Sequence, residues 1–238
     1  MRYLHVFFQS GQALLRGAGE WIFPQLCPGC GQHLTEDVPF LCLGCLRTLE
    51  HPAPDIIRAH LQAHWRAEAR LEIGYSLWMF DEGGTVQKIQ HALKYKNRPR
   101  IGRYIGALIG EYLIGIAEEW QADLMVPVPL SRIRMIERGY NQSTELAKGM
   151  SVVLKLPLCE DFLIRTRATK SQTKLDSSNR WANVSGAFTV VNPEKVVGKR
   201  ILLVDDVLTT GATLAAAAVP LFEAGAEEVR VATMAVVR

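Results

Sequence analysis

"ILLVDDVLTTGAT", Ile201–Thr213, is the stretch from which fold and chemistry are both read. "ILLVDDV", Ile201–Val207, is the strongest strand signal in the chain, and its Ile201–Val204 are four apolar residues in a row. Such a run is the mark of a strand buried on both faces, as in a parallel sheet. Two aspartates come next, then a Thr-Thr-Gly turn and a run of small residues that opens a helix. A strand of this kind delivers the next residues to the carboxyl end of the sheet, where open α/β folds bind ligands. The loop amides of Leu208, Thr209, Thr210, Gly211, Ala212 and Thr213 suit an anion-binding nest, and the next helix offers its N-terminus to the same anion. Gly211 lets the backbone approach that anion closely. Asp205 and Asp206 repel an anion, so their natural partners are sugar hydroxyls or Mg²⁺.

No G-x-x-x-x-G-K-[ST] and no G-x-G-x-x-G occurs here, which sets aside the common nucleoside-triphosphate and dinucleotide loops. A ligand with a phosphate at one end, a diol beside it and a magnesium diphosphate beyond satisfies the whole segment. Phosphoribosyl pyrophosphate (PRPP) has that layout. The competing reading is a strand that ends in exposed acids before an ordinary helix cap.

Outward from this stretch, strands and helices alternate. "LEIGYSLWMF" reads as a strand, and "GGTVQKIQHALKYK" repeats Val86, Ile89 and Leu93 at helical spacing. A second helix covers about Ile101–Trp120. "ADLMVPVPL" is a short buried strand running into a proline-marked loop. "NQSTELAKGMSVVLKL" is a helix whose Asn141, Thr144 and Glu145 suit a first turn. "FLIRTR" is a short strand, and "EEVRVATMAVV" a last one. The helix "ATLAAAAVPLFEAG" is closed by Gly225, and Pro220 inside it predicts a kink or local break. The pattern gives an α/β body with a largely parallel sheet flanked by helices over 71–238. Residues 1–50 form a separate small module, and 51–70 a linker and helical segment.

That module holds Cys27, Cys30, Cys42 and Cys45, as "CPGC" and "CLGC" with the eleven residues Gly31–Leu41 between them. Two C-x-x-C turns suit a tetrahedral site of four thiolates, closed and structural, with zinc as the expected ion. The alternatives are two disulfides or an iron–sulfur cluster. A segment of this size with few large apolar residues needs such a staple to fold. Cys159 stands apart as a bystander.

The remaining chemistry is basic. Net charge is only +3, from 27 Lys and Arg against 24 Asp and Glu, too little to imply nucleic-acid binding by itself. The cations are grouped, however. Lys94, Lys96, Arg98, Arg100 and Arg103 form one group; Arg132, Arg134 and Arg138 a second; Arg165, Arg167, Lys170 and Lys174 a third. Such groups favour polyanions such as a diphosphate or a nucleic-acid backbone, or else are solvated faces. No apolar run reaches the ~18 residues that span a bilayer, and the N-terminus is a poor secretory signal, so a cytoplasmic protein is expected.

Five blocks in order resemble the ComF family, whose members include ComFC and GntX: the CPGC…CLGC pair, "IQHALKYKNR", "VPVPLSRIRMIERGYNQS", "RTRATKSQTKLDSSNRWANVSGAF" and "ILLVDDVLTTGAT". The resemblance covers nearly the full length. It implies a type I phosphoribosyltransferase-like domain after an N-terminal zinc module. It implies PRPP with Mg²⁺ as ligand, Asp205 and Asp206 as the catalytic acids, and Leu208–Thr213 on the 5′-phosphate. By the same resemblance Pro127, Val128, Pro129 and Leu130 line a diphosphate loop with a strained or cis peptide. Arg132, Arg138, Gln142, Lys94 and Lys96 are further candidates for the diphosphate side. Arg165, Gln172 and Arg180 belong to a loop that closes over the site. Asn97 stands where the family often has glycine, and it too tolerates a left-handed backbone. The implied role is DNA uptake in natural transformation, with single-stranded DNA and a DNA-uptake helicase or ATPase as partners. Trp65, Trp78, Tyr95 and Tyr140 are candidate stacking aromatics. An active phosphoribosyltransferase and a non-catalytic PRPP sensor are the alternatives.

Overall fold

The computed structural model describes residues 25–35, 40–63, 70–116, 121–166 and 184–238. Its elements run α1 (Leu43–Thr48), α2 (Pro54–Gln62), β1 (Gly74–Met79), α3 (Thr85–Tyr95), α4 (Pro99–Gly115) and β2 (Leu124–Pro127). They continue with α5 (Arg132–Arg138), α6 (Gln142–Leu154), β3 (Leu163–Arg165), β4 (Phe188–Val190), β5 (Arg200–Leu208), α7 (Ala212–Glu223) and β6 (Glu228–Val236). Four strands form a parallel sheet in the order β1-β6-β5-β2. β3 and β4 pair antiparallel in a small sheet of their own.

Side chains alternate across β5. Ile201 and Leu203 join the apolar cluster that holds α7, Ile57 and Leu61 of α2, and Phe188 of β4. Leu202 and Val204 join the cluster on the other face, with α3, α4 and α6. Helices therefore cover both faces of the sheet, and Ile201–Val204 of β5 are buried, which is what its unbroken apolar run requires.

α4 and α6 meet backbone to backbone. Gly102, Gly106 and Gly110 recur every four residues, so they line one stripe of α4. A Cβ at Gly106 would lie 2.0 Å from the Leu146 carbonyl oxygen, and one at Gly149 of α6 2.0 Å from the Arg103 carbonyl oxygen. α7 runs through Pro220 to Glu223 as one helix, without the local break expected at that proline. It closes on Gly225 (φ +89°), whose N–H reaches the Phe222 carbonyl, while the Ala226 N–H reaches the Leu221 carbonyl. That is the Schellman closure expected of glycine at this position.

Three elements differ from the sequence reading. The stretch after the β2 prolines, expected as a loop, contains α5, started by the Ser131 hydroxyl accepting the Arg134 N–H and stopped by Gly139 at φ +77°. The segment expected wholly as a closing loop ends in β4, which pairs with β3. The second helix is described only to Gly115, with 117–120 outside the described residues.

The cysteine segment packs on the body. Cys27, Leu41, Cys45 and Leu49 belong to the same apolar cluster as Trp78 and Ile89. The chain then passes β1, where the Met79 N–H donates to the Glu50 carbonyl (2.7 Å), and α2 lies on the opposite face. Among the described residues no helix is long and apolar enough to cross a membrane.

The α4–α6 seam gives a stability test. Gly149→Ala is expected to lose about 2–4 kcal/mol in urea unfolding, because a backbone oxygen cannot move aside. Gly115→Ala, whose Cβ meets nothing within 4 Å, is the control and stays within about 1 kcal/mol of the parent.

Candidate functional site

Both aspartates lie inside β5, because β6 pairs with it up to Leu208, opposite Val236. Each carboxylate has its own partner, on helices that pack on the same face of the sheet, α3 and α6. The Asp206 Oδ2 meets Lys94 Nζ of α3 at 2.7 Å. The Asp205 Oδ1 accepts from Ser143 Oγ (2.9 Å) and from the Asp206 N–H (2.8 Å). Burial raises the Asp205 carboxyl to about 7, with the Asp206 charge adding to the rise; the bonds to Oδ1 and the Lys94 charge oppose it. Arg165 of β3 feels the Asp205 charge, and burial lowers its own pKa. Its guanidinium carbon lies 5.3 Å from the Phe188 ring centroid.

Leu208 is the buried last residue of β5, so the turn proper starts at Thr209, which is exposed. Gly211 takes φ +84° and is the N-cap of α7 without a side-chain capping bond. The Thr210 Oγ1 accepts the Ala212 N–H at 3.4 Å. α3, which comes after β1 at the same end of the sheet, differs. There the Asp81 carboxylate accepts the N–H groups of Thr85 (2.7 Å), Val86 (2.7 Å) and Gln87 (3.2 Å). A helix N-terminus attracts an anion. α3 satisfies that demand internally, whereas the start of α7 has no such carboxylate.

No cis peptide occurs among the described residues, including those before Pro127 and Pro129. The Val128 N–H donates to the Val204 carbonyl (2.8 Å), and its own carbonyl accepts from Asn141 Nδ2 (2.9 Å). Prolines carry no N–H, so Leu130 is the main-chain donor left in this stretch. Arg132 is exposed on α5. Arg138 donates to Gln142 Oε1 (2.7 Å), and its guanidinium carbon lies 5.8 Å from the Tyr95 ring centroid. Lys96 is exposed at the end of α3, and Asn97 takes the left-handed φ of 47°. Gln172 and Arg180 lie outside the described residues, as does Trp65. Trp78 is core, 2% exposed, whereas Tyr95 is 60% exposed. The Tyr140 hydroxyl donates to the Leu93 carbonyl.

The structure thus brings Asp205, Asp206, Lys94, Arg165 and the Thr209–Thr213 turn to one end of the sheet. Sequence reasoning misses Ser143 as a site residue, and it takes Asn141 only as part of the run Arg138–Gln142 near the diphosphate. Their signal is the polar run "NQSTE" at the head of a helix, which reads at first as capping alone.

The four cysteines converge. Cys27 and Cys45 have sulfurs 3.7 Å apart, Cys30 and Cys42 3.6 Å apart, and all four lie within 4.8 Å of one another. A tetrahedron with Zn–S bonds of about 2.3 Å has S···S edges of about 3.8 Å, so the thiols fit a zinc-sized ion. All four are free thiols, which sets aside the disulfide alternative. Burial pushes the Cys27 thiol up, but the backbone amides of Cys42, Cys30 and Gly29 outweigh it and bring it to about 7, toward the thiolate a metal needs.

A family model described as "Phosphoribosyl transferase domain" matches residues 138–237, a stretch that includes both aspartates and the turn. The chain is 31% identical over 212 residues to the DNA utilization protein YhgH of Escherichia coli (strain K12), covering 87% of this chain and 82% of that protein. It is 36% identical over 110 residues to competence protein F of Haemophilus influenzae, covering 46% of this chain and 48% of that protein. It is 37% identical over 102 residues to competence protein ComFC of Bacillus subtilis, covering 43% of this chain and 39% of that protein.

The raised Asp205 pKa has a consequence for stability. The folded chain holds this proton up to about pH 7, whereas the ordinary value for an Asp carboxyl is 3.8. Between those values the folded state binds more protons, so stability falls as pH rises from about 4 to about 7. Urea unfolding from pH 4 to 8 is expected to show a loss on the order of 2–4 kcal/mol relative to Asp205→Asn, which lacks this slope.

Proposed function

The chain belongs to the ComF family, with a phosphoribosyltransferase domain and a four-cysteine N-terminal module, and on that premise we propose that it binds PRPP with Mg²⁺ and acts in DNA uptake. One observation carries the ligand assignment. At this end of the sheet α3 is capped by the Asp81 carboxylate, while α7 opens on a left-handed glycine with no side-chain cap, one turn after two acids. Phosphate on Thr209–Thr213 and ribose hydroxyls at Asp205 and Asp206 use both features with one ligand.

On this reading Leu130, Arg132, Arg138, Gln142 and Arg165 serve the diphosphate side. Mg²⁺ arrives with the diphosphate and offsets its charge. Lys94, held by Asp206, offsets that acid's charge before ligand arrives. Turnover is nucleophilic displacement at ribose C1: the bond to diphosphate breaks as the acceptor bonds, and Mg-diphosphate leaves. The protein supplies position and charge stabilisation without a covalent nucleophile. Diphosphate release from PRPP separates such an enzyme from a PRPP sensor.

The DNA role is supported by the names of the relatives, competence protein F, ComFC and DNA utilization protein. Its partners are single-stranded DNA and a helicase or ATPase of the uptake machinery, met in the cytoplasm. The exposed Tyr95 ring, between Arg138 and the cations of 94–103, is the aromatic suited to stack a base. The cysteine module holds one Zn²⁺ and contributes stability to the fold.

Calorimetry with Mg-PRPP tests the ligand. The parent is expected to bind, and the double variant Asp205→Asn, Asp206→Asn to weaken binding by about 100-fold, two acceptors having been lost. Unchanged binding in the double variant would sink the assignment. For the metal, native mass spectrometry is expected to show one zinc per chain. Its removal by a chelator should lower stability by several kcal/mol, as metal binding is coupled to folding.

A further inference from the structure

Five consecutive polar residues, Asn141 to Glu145, are each less than a tenth exposed. Polar side chains seldom go inside unless they are bonded, because an unpaired buried group costs about 1–3 kcal/mol. The packing of α6 is carried by Leu146, Ala147 and Met150, so these five residues answer to something else. Glu145 is explained by Arg103 (2.6 Å) and Lys148 (3.1 Å), which pin the α4–α6 seam. Asn141, Gln142 and Ser143 hold other parts.

Asn141 divides its amide. Its Oδ1 accepts the Ser143 N–H (3.1 Å) and starts α6, while its Nδ2 donates to the Val128 carbonyl (2.9 Å) beyond β2. Ser143 Oγ donates to Asp205 Oδ1 (2.9 Å) on β5. Gln142 ties the turn to Arg138 (2.7 Å) and to the Tyr140 carbonyl (3.3 Å). Tyr140 bonds the Leu93 carbonyl, one residue before the lysine that pairs with Asp206. One short turn therefore grips three segments that meet at the site: the exit of β2, the acids of β5 and the end of α3.

We propose that Ser143 and Asn141 are positioning residues of the PRPP site, with separable duties. Ser143 and the Asp206 N–H both bond Oδ1 of Asp205. Those two bonds fix the plane of the carboxylate and leave Oδ2 to accept from a ribose hydroxyl. Asn141 fixes the carbonyl of Val128, and with it the Leu130 N–H that faces diphosphate. Neither residue touches the ligand; each acts through another. This inference rests on the PRPP reading above.

Separable duties make the test selective. Two probes are titrated calorimetrically, Mg-PRPP, which carries ribose, and inorganic Mg-diphosphate, which does not. Ser143→Ala is expected to weaken PRPP about tenfold and to leave diphosphate within about twofold. Ser143→Thr keeps the hydroxyl and is expected to restore PRPP to within about threefold of the parent. Asn141→Ser keeps a helix cap but loses the reach to Val128, so both probes should weaken together. PRPP binding by Ser143→Ala equal to the parent overturns the proposal, as does an equal loss of both probes or a failure of threonine to rescue. If Ser143→Ala does not fold, the threonine and Asn141→Ser variants decide between the same outcomes. A parent that binds diphosphate but not PRPP, or neither probe, overturns the PRPP reading and this inference together. A parent that binds PRPP beside an unaffected Ser143→Ala overturns this inference alone.

Discussion

The pairing of β5 with β6 past the end of its apolar run is the constraint on which the rest depends. β6 stays in register to Leu208. Asp205 and Asp206 are thereby held as strand residues, with the dihedral freedom of a sheet and not of a loop. A loop would let two adjacent carboxylates swing out to water. A strand holds each of them in one place. Each then needs its own partner, and the fold supplies them: Lys94 from α3 for Asp206, and Ser143 from α6 for Asp205. The difference in partner separates their chemistry. Asp206 has a full counter-charge at 2.7 Å, while Asp205 has a neutral hydroxyl and an amide, and burial then raises its pKa.

Much of this is legible in the sequence because it depends on local pattern. The run Ile201–Val204 reads as a buried parallel strand, Gly225 as a helix stop and the paired C-x-x-C units as a metal site. Each is a short-range rule with a steric or ligand-field cause. The features that stay hidden depend on distant pairing. The run "ILLVDDV" carries the strand through both aspartates to Val207, one residue short of its observed end, but nothing in it announces that Val236 lies opposite Leu208. Ser143 reads as part of a helix cap until the fold brings β5, 62 residues along the chain, against it. α5 is hidden for a different reason. None of its residues is buried, and Ile133 and Ile136 are exposed, so it has no amphipathic pattern to read. Its start at Ser131 and its stop at Gly139 are the signals that define it.

The glycine stripe of α4 shows how far one seam reaches. Gly102, Gly106 and Gly110 let α6 approach until main chain touches main chain. A Cβ at Gly102 would lie 2.9 Å from Glu145 Cβ, so the approach is set at the same turn of α6 that carries Ser143 and Asn141. The helix could not sit this deep with larger side chains on α4. Its polar head would then stand off from β5, and the 2.9 Å contact from Ser143 to Asp205 would lengthen into the range where a hydrogen bond fails. Close packing remote from the site thus fixes a polar distance within it.

The metal module enters the same mechanical chain through α3. Lys88 Nζ donates to the Gly29 carbonyl at 3.3 Å, and a Cβ on Gly29 would lie 2.8 Å from both the Thr85 methyl and the Cys45 sulfur. Beyond the far end of α3, Arg98 donates to the Leu26 carbonyl at 3.3 Å. The first C-x-x-C hairpin therefore spans the helix from Thr85 to the turn after Tyr95. Lys94 leaves that helix one residue before its end and pairs with Asp206. An α-helix of this length is stiff, with every turn tied to the next by main-chain bonds. A module that grips both of its ends constrains where Lys94 stands. The four thiols are remote from the phosphate turn in sequence, and nothing in their chemistry acts on a sugar or a phosphate. Their bearing on the site is geometric, carried by the eleven residues of one helix.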